Sequence, residues 1–261
     1  MKLSDHRDIP KAKRIVVKVG SSSITGANQD NLELLVEAIA KATSNGQEIV
    51  LVTSGAIATG LPLLNFTEKP TDLATKQALA SVGQSKLMGR YEASLERFNI
   101  VAGQVLLTAG DFEQADTSEN ASKAIDRLLE LKVVPIVNEN DTVATQEIAF
   151  GDNDRLASLV AVLVKADALV LLSDVDALYD RPPTEPGSQK IEWVEPEDDL
   201  STIKIGGSAS NVGTGGAETK LEAAKYAREY GVTVLLTSID NASAVLSGER
   251  VGTWFQAKET K

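Results

Sequence analysis

Six short apolar runs punctuate the chain: Ile15 to Val19, Ile49 to Val52, Ile100 to Leu107, Val133 to Val137, Ala168 to Leu172 and Val232 to Leu236. None alternates with polar residues. A strand that is apolar on both faces must be covered on both, so the pattern predicts a mainly parallel sheet and not a half-solvated antiparallel one. Helical spacing fills the gaps. Asp30-Asn-Leu-Glu33 reads as a capping box opening a helix that carries Leu32, Leu35, Val36 and Ile39 on one stripe and stops at Asn45-Gly46. Leu73 to Phe98, Ser118 to Leu131, Arg155 to Val164 and Leu221 to Tyr230 follow suit, whereas Ile57 to Thr75 reads as a loop. Strand and helix in alternation predict the α/β class, as a three-layer α/β/α sandwich around a mainly parallel central sheet. The most loop-like stretches, Arg181 to Ser188 and Ile205 to Gly216, are too short to be interdomain linkers. Residues 1–261 therefore read as a single domain, long enough to bury a substantial core.

Composition removes several function classes. With no cysteine there is no disulfide, thiolate metal site or cysteine nucleophile, which fits a reducing, cytoplasmic setting. The polar start MKLSDHRDIPKAKR has no apolar leader core, and no run of about 18 apolar residues marks a membrane span. A formal net charge of -11 disfavours nucleic-acid partners, so any anionic ligand must meet locally concentrated positive charge. His6, the only histidine, reads as a surface residue and not a catalyst, and Trp193 and Trp254 as packing residues.

Parallel sheets bind ligands at the carboxyl ends of their strands, so the informative residues follow each apolar run. They are Gly20-Ser-Ser-Ser23, Thr53-Ser54-Gly55-Ala56, Asn138-Glu-Asn-Asp141 and Ser173-Asp174, all small or polar. Glycine beside Ser or Thr lets backbone N–H groups approach an anion, although any one such turn also suits an ordinary strand-to-helix connection. No G-x-x-x-x-G-K-[ST] occurs, and Gly213-Thr-Gly215-Gly-Ala-Glu218 fails G-x-G-x-x-G at its last position. What remains is a glycine segment, Gly213 to Lys220, running into a helix with Lys220 in its first turn. Lys18, inside an apolar strand, carries a desolvation cost unless its ammonium reaches a partner at the strand end beside Gly20. Gly151-Asp-Asn-Asp-Arg155 sets more carboxylate and amide groups before a helix than one cap requires.

Together VVKVGSSS, VTSGAIATG, KQALASVGQSKLM, NENDTVAT, FGDNDRLASLVA, LLSDVDALYD and GTGGAETK resemble, in order, the motifs of the amino-acid kinase family. The closest resemblance is to its branch that phosphorylates the γ-carboxylate of glutamate at the opening of proline biosynthesis; NEND followed by GDND is the more specific pair. The resemblance implies a catalytic set of Lys18, Lys220 and Asp154, with Lys18 on the transferred phosphate, Lys220 meeting it from the nucleotide side, and Asp154 orienting both. It implies that ATP lies on Lys18, Ser173, Asp174, Thr214, Gly215, Gly216, Ala217, Glu218, Thr219 and Lys220. Glutamate lies on Ser54, Asp141 and Asn153, with Asp141 facing the amino group and the Asn153 amide gripping the α-carboxylate. The substrate side falls mainly in the N-terminal part and the nucleotide side in the C-terminal part. The resemblance also implies Mg2+ bridging the phosphates without a protein metal site, and a homo-oligomer, a dimer or tetramer. The family has Met or a similar residue where this chain has Ala217, often a basic residue at Ala149, and in many members a C-terminal RNA-binding-like module that this chain is expected to lack. A sibling kinase acting on another carboxylate or carbamate, and a non-catalytic amino-acid sensor, are the alternatives.

Overall fold

The computed structural model describes residues 3–144, 153–198, 200 and 216–259. Its strands are β1 (Arg14–Val19), β2 (Glu48–Val52), β3 (Val101–Leu107), β4 (Val133–Glu139), β5 (Ala168–Ser173), β6 (Leu178–Tyr179), β7 (Lys190–Ile191), β8 (Trp193–Val194), β9 (Thr233–Ser238) and β10 (Thr253–Phe255). Its helices are α1 (Ser21–Ile24), α2 (Asn31–Ser44), α3 (Ala56–Leu63), α4 (Leu73–Glu96), α5 (Ala109–Glu113), α6 (Ala115–Glu130), α7 (Asn153–Leu163), α8 (Ala217–Glu229) and α9 (Ala242–Leu246). Eight strands form one sheet in the order β3-β4-β2-β1-β5-β9-β10-β8. The pairs from β3 through β9 are parallel, and β10 runs antiparallel to β9. Strands β6 and β7 make a separate two-stranded ribbon, closing what the sequence suggested was the least structured stretch.

Alternation along β1 sorts the two outer layers. Ile15, Val17 and Val19 face a core shared with Leu32, Leu35 and Ile39 of α2, Leu87 and Tyr91 of α4, and Val245 of α9. Val16 faces the opposite core, with Ile125 of α6, Leu156 and Val160 of α7, and Ala224 of α8. Helices on both faces of a mainly parallel sheet are the expected three-layer α/β/α sandwich. Because side chains alternate along a strand, Lys18 belongs to the α7–α8 side. It sits in a central strand, in register with Val52 of β2 and Leu171 of β5.

Four sequence expectations are corrected. Strand β3 is not covered on both faces: it is the sheet edge, with Val101 64% exposed and only Leu107 buried. An apolar run does not distinguish a central from an edge position. The region 57–75 is only partly a loop, since α3 occupies most of its first half and α4 begins at Leu73, leaving 64–72 as the connection. The capping box is not formed, because Asp30 has αR backbone angles and its side chain does not cap α2. Glu33 turns instead to Ser94 and Arg97 of the α4 region. His6 is buried, not on the surface: its ring lies 4.9 Å from that of Trp254, which stacks on Trp193 at 5.3 Å. Burial holds its imidazole below the usual histidine range, and both tryptophans act in packing.

Glycine, not propensity, explains α3. Cβ atoms added at Gly60 and Gly83 would lie 2.2 Å from the Leu79 carbonyl oxygen and 1.8 Å from that of Ala56, so α3 and α4 touch backbone to backbone. Gly89, on the same helix α4, has nothing within 4 Å of its would-be Cβ. Gly83→Ala is expected to lower Tm by several degrees, since overpacking costs about 1–3 kcal/mol. Gly89→Ala is expected to raise it slightly, by about 0.5–1 kcal/mol of stability, through helix propensity. Thermal unfolding in which the two variants behave alike would contradict this packing.

Candidate active site

The ends of β1, β2, β4 and β5 and the N-terminal turns of α7 and α8 share the carboxyl edge of the sheet. At its centre stands Asp154, in the first turn of α7 and 0% exposed. One of its oxygens pairs with the Lys18 ammonium, and the other lies 3.1 Å from Lys220 Nζ. Lys18 and Lys220 are 2% and 7% exposed. Side-chain parity brings Lys18 up on this face, and α8 starts at the glycine segment, so Lys220 projects from its first turn. A Cβ at Gly20 would stand 3.8 Å from Lys18 Nζ, so the turn after β1 lies directly beside the ammonium. Thr219 Oγ1 bonds the Gly216 carbonyl at 2.9 Å and lies 3.4 Å from Asp154 Oδ2. One carboxylate thus gathers two ammonium groups from distant parts of the chain, each with three donors and one positive charge. That concentration of positive charge in a chain of net charge -11 is suited to the oxygens of a phosphoryl group.

The residues expected on the substrate side lie around β2 and β4. Asn153, just before Asp154, donates from Nδ2 to the Thr53 carbonyl and, at 2.7 Å, to Asn138 Oδ1. An α-carboxylate seeking the Asn153 amide must therefore displace one of these bonds. Ser54 follows Thr53 and is partly exposed, and Gly55 turns the chain into α3 with φ 109, a left-handed angle that favours glycine. Asp141 is half-buried past the end of β4. Burial pushes its carboxyl up to about 7, the Glu139 carboxylate adds to the rise, and Lys69 counters it. A carboxyl so placed gains from a ligand cation. Ser173 is buried at the end of β5 with its hydroxyl 2.9 Å from the exposed Asp174 carboxylate.

Of the expected set, Lys18, Asp154, Lys220 and Thr219 meet directly, and Asn153 joins them through its helix turn. Ser54, Asp141, Ser173, Asp174, Gly216 and the exposed Glu218 line the same edge. Thr214, Gly215 and Ala149 lie outside the described residues, and of Ala217 only the backbone position at the start of α8 is described. Thr53 and Asn138 belong to the strand-end segments read as informative but carried no assigned role, and Gln84 and Tyr91 were not singled out at all. All four are buried hydrogen-bonding groups, a property that the sequence around Gln84 and Tyr91 does not reveal.

Residues 13–238 match the model of the amino acid kinase family. The chain belongs to that family. It is similar to the "Glutamate 5-kinase" of Clavibacter michiganensis subsp. michiganensis, 61% identical over 247 residues that make up 95% of each chain. It is 57% identical to the protein of the same name from Leifsonia xyli subsp. xyli, over 100% of this chain and 97% of that one. With the namesake from Salinispora arenicola it shares 53% identity over 95% of this chain and 68% of the longer relative. Among solved structures, the carbamate kinase of Giardia lamblia has a TM-score of 0.68 at 16% identity, covering 95% of this chain and all of that one. An isopentenyl phosphate kinase has a TM-score of 0.65 at 20% identity, over 93% of this chain and 99% of that one. These two fix the amino-acid kinase fold.

Asp154→Ala leaves two buried ammonium groups without their shared carboxylate. Breaking a buried pair costs about 3–5 kcal/mol, so Tm is expected to fall by about 10 °C. Inorganic phosphate is expected to recover part of the loss by binding between the lysines. Calorimetry showing the variant as stable as the parent, with or without phosphate, would contradict the geometry.

Proposed function

We propose that the chain transfers the γ-phosphoryl group of ATP to the γ-carboxylate of L-glutamate, giving L-glutamyl 5-phosphate and ADP, the step that opens proline biosynthesis. The observation that carries this reading is the convergence of Lys18 and Lys220 on Asp154. A carboxylate approaching a phosphate meets a repulsion of about 4 kcal/mol per pair of unit charges at 4 Å and an effective dielectric near 20. Two ammonium groups at the meeting point offset it, and phosphoryl transfer asks little more of a protein than such charge and alignment. Relatives named for the same activity, nearly as long as this chain and 57–61% identical, support the substrate assignment.

Lys18 holds the phosphoryl group in transit and Lys220 the nucleotide side of it. Ser173, Asp174 and the segment from Thr214 to Lys220 bind ATP, and Ser54, Asp141 and Asn153 bind glutamate. Asp154 is a positioning residue. Mg2+ fits this arrangement as an ion carried by the phosphates: it keeps several waters and needs few carboxylates. Among the described residues no group of three His, Cys, Asp or Glu side chains forms a cage for it. When bound, it neutralises phosphate charge. We also propose a cytoplasmic homo-oligomer, as the family resemblance implies; separately, no helix among the described residues is long and apolar enough to cross a membrane.

The test is turnover with ATP, Mg2+ and a panel of amino acids, trapping the acyl phosphate with hydroxylamine. Hydroxamate from glutamate alone is expected; none from any substrate would overturn the reading. Lys220→Ala is expected to lower kcat by at least about a hundredfold, the scale of losing a preorganised electrostatic contact. Asp141→Ala raises KM for glutamate with a smaller effect on kcat. The pH dependence has a definite sign. Asp141 must be ionised to receive an ammonium group, and its carboxyl titrates at about 7. KM for glutamate therefore rises as pH falls through that value, approaching about tenfold per unit, while the substrate γ-carboxyl stays ionised down to roughly 4.3. For the free protein the raised value means that stability declines as pH climbs from the ordinary carboxylate range toward 7, where the buried charge forms. A pH-independent KM between 5.5 and 8 would remove Asp141 from the ammonium site.

A further inference from the structure

We propose that Gln84 and Tyr91 of α4 are positioning residues that set where Asn153 stands in the glutamate site, acting across the sheet through Asn138 and Thr53. The proposal rests on the glutamate-binding reading of that site. Helix α4 packs in one outer layer and α7, which carries Asn153, in the other. The link between them runs over the strand ends. Asn138 Nδ2 donates to Gln84 Oε1 at 2.7 Å, and Gln84 Nε2 to Gln104 Oε1 at 3.1 Å. On the other branch, the hydroxyls of Tyr91 and Thr53 are 2.8 Å apart, and the Thr53 carbonyl receives Asn153 Nδ2.

The direction of this chain is fixed by the backbone. The Glu139 N–H points at Asn138 Oδ1 at 2.9 Å, so the atom there is the oxygen, and its Nδ2 must face Gln84. Asn153 Nδ2 faces a backbone carbonyl, which fixes that amide in turn. Each amide has one arrangement that satisfies its neighbours, and a buried network satisfied in one way only specifies one geometry. Gln84, Tyr91, Thr53, Asn138 and Asn153 are all buried. Leu and Phe would fill the α4 positions without any polar partner, so apolar packing does not account for Gln84 and Tyr91. They lie two helical turns apart on one face of α4, each under a different strand end.

The test compares Gln84→Met, which removes the acceptor, with Gln84→Glu, which keeps an oxygen before Asn138, and with Tyr91→Phe. Gln84→Met is expected to raise KM for glutamate about tenfold, with kcat and KM for ATP within about twofold; Gln84→Glu recovers most of the loss and Tyr91→Phe raises KM by about threefold. Losses shared equally between the two substrates, no rise in KM, or no recovery in Gln84→Glu would overturn the proposal. The parent enzyme in the same assay tests the functional reading separately, since that reading fails only if the parent does not phosphorylate glutamate. Crystal structures of the Met and Glu variants decide the point without substrate. The Asn153 carboxamide is expected to lose its bond to Asn138 Oδ1 in the first and to keep it in the second; an unmoved carboxamide in Gln84→Met overturns the assignment.

Discussion

Everything at the active edge depends on one carboxylate holding two ammonium groups. Asp154 is fully buried and sits in the first turn of α7, where the helix N-terminus favours negative charge. Taking three charges out of water is expensive, and such a cluster persists only where geometry and hydrogen bonding repay the desolvation. Here that geometry has a use. Lys18 comes from β1 and Lys220 from α8, and neither has a covalent reason to be near the other. Without Asp154 between them the two would repel; with it they form the seat we propose for phosphoryl oxygens.

The rest of the fold keeps that seat in place. Strand β1 is central, clamped in register by β2 and β5. At the opposite edge of the sheet, Arg14 bonds Glu48, Asp126 and the Val164 carbonyl, tying β1 to β2, α6 and the end of α7. The Asp167 carboxylate accepts from the backbone of Lys13 and Arg14, fixing the approach to β5 against the approach to β1. On the other face, the close contact of α3 and α4 at Gly60 and Gly83 sets the turn after Thr53. The His6, Trp193 and Trp254 cluster anchors the start of the chain on the β10–β8 edge.

Much of this was legible because it repeats. Unbroken apolar runs alternating with helical stripes specify the three layers, and the rule of strand carboxyl ends points to Lys18, Ser54, Asp141 and Ser173 independently of the family resemblance. What was not legible depended on neighbours. The edge position of β3 follows from sheet order, the burial of His6 from two tryptophans far along the chain, and the helix at α3 from glycine contacts that outweigh a Gly and a Pro in its sequence. Asp30 and Glu33 fit a capping pattern, yet Glu33 finds partners on α4 that local spacing does not reveal. Gln84 and Tyr91 stayed invisible as functional residues because nothing local distinguishes them from ordinary helix positions.

The most direct measurement is a crystal structure with ADP, Mg2+, glutamate and aluminium fluoride standing in for the phosphoryl group in flight. The account predicts the ammonium groups of Lys18 and Lys220 on the fluoride ligands from opposite sides, with Asp154 still between them. A fluoride group held by only one lysine, or seated away from Asp154, would contradict it.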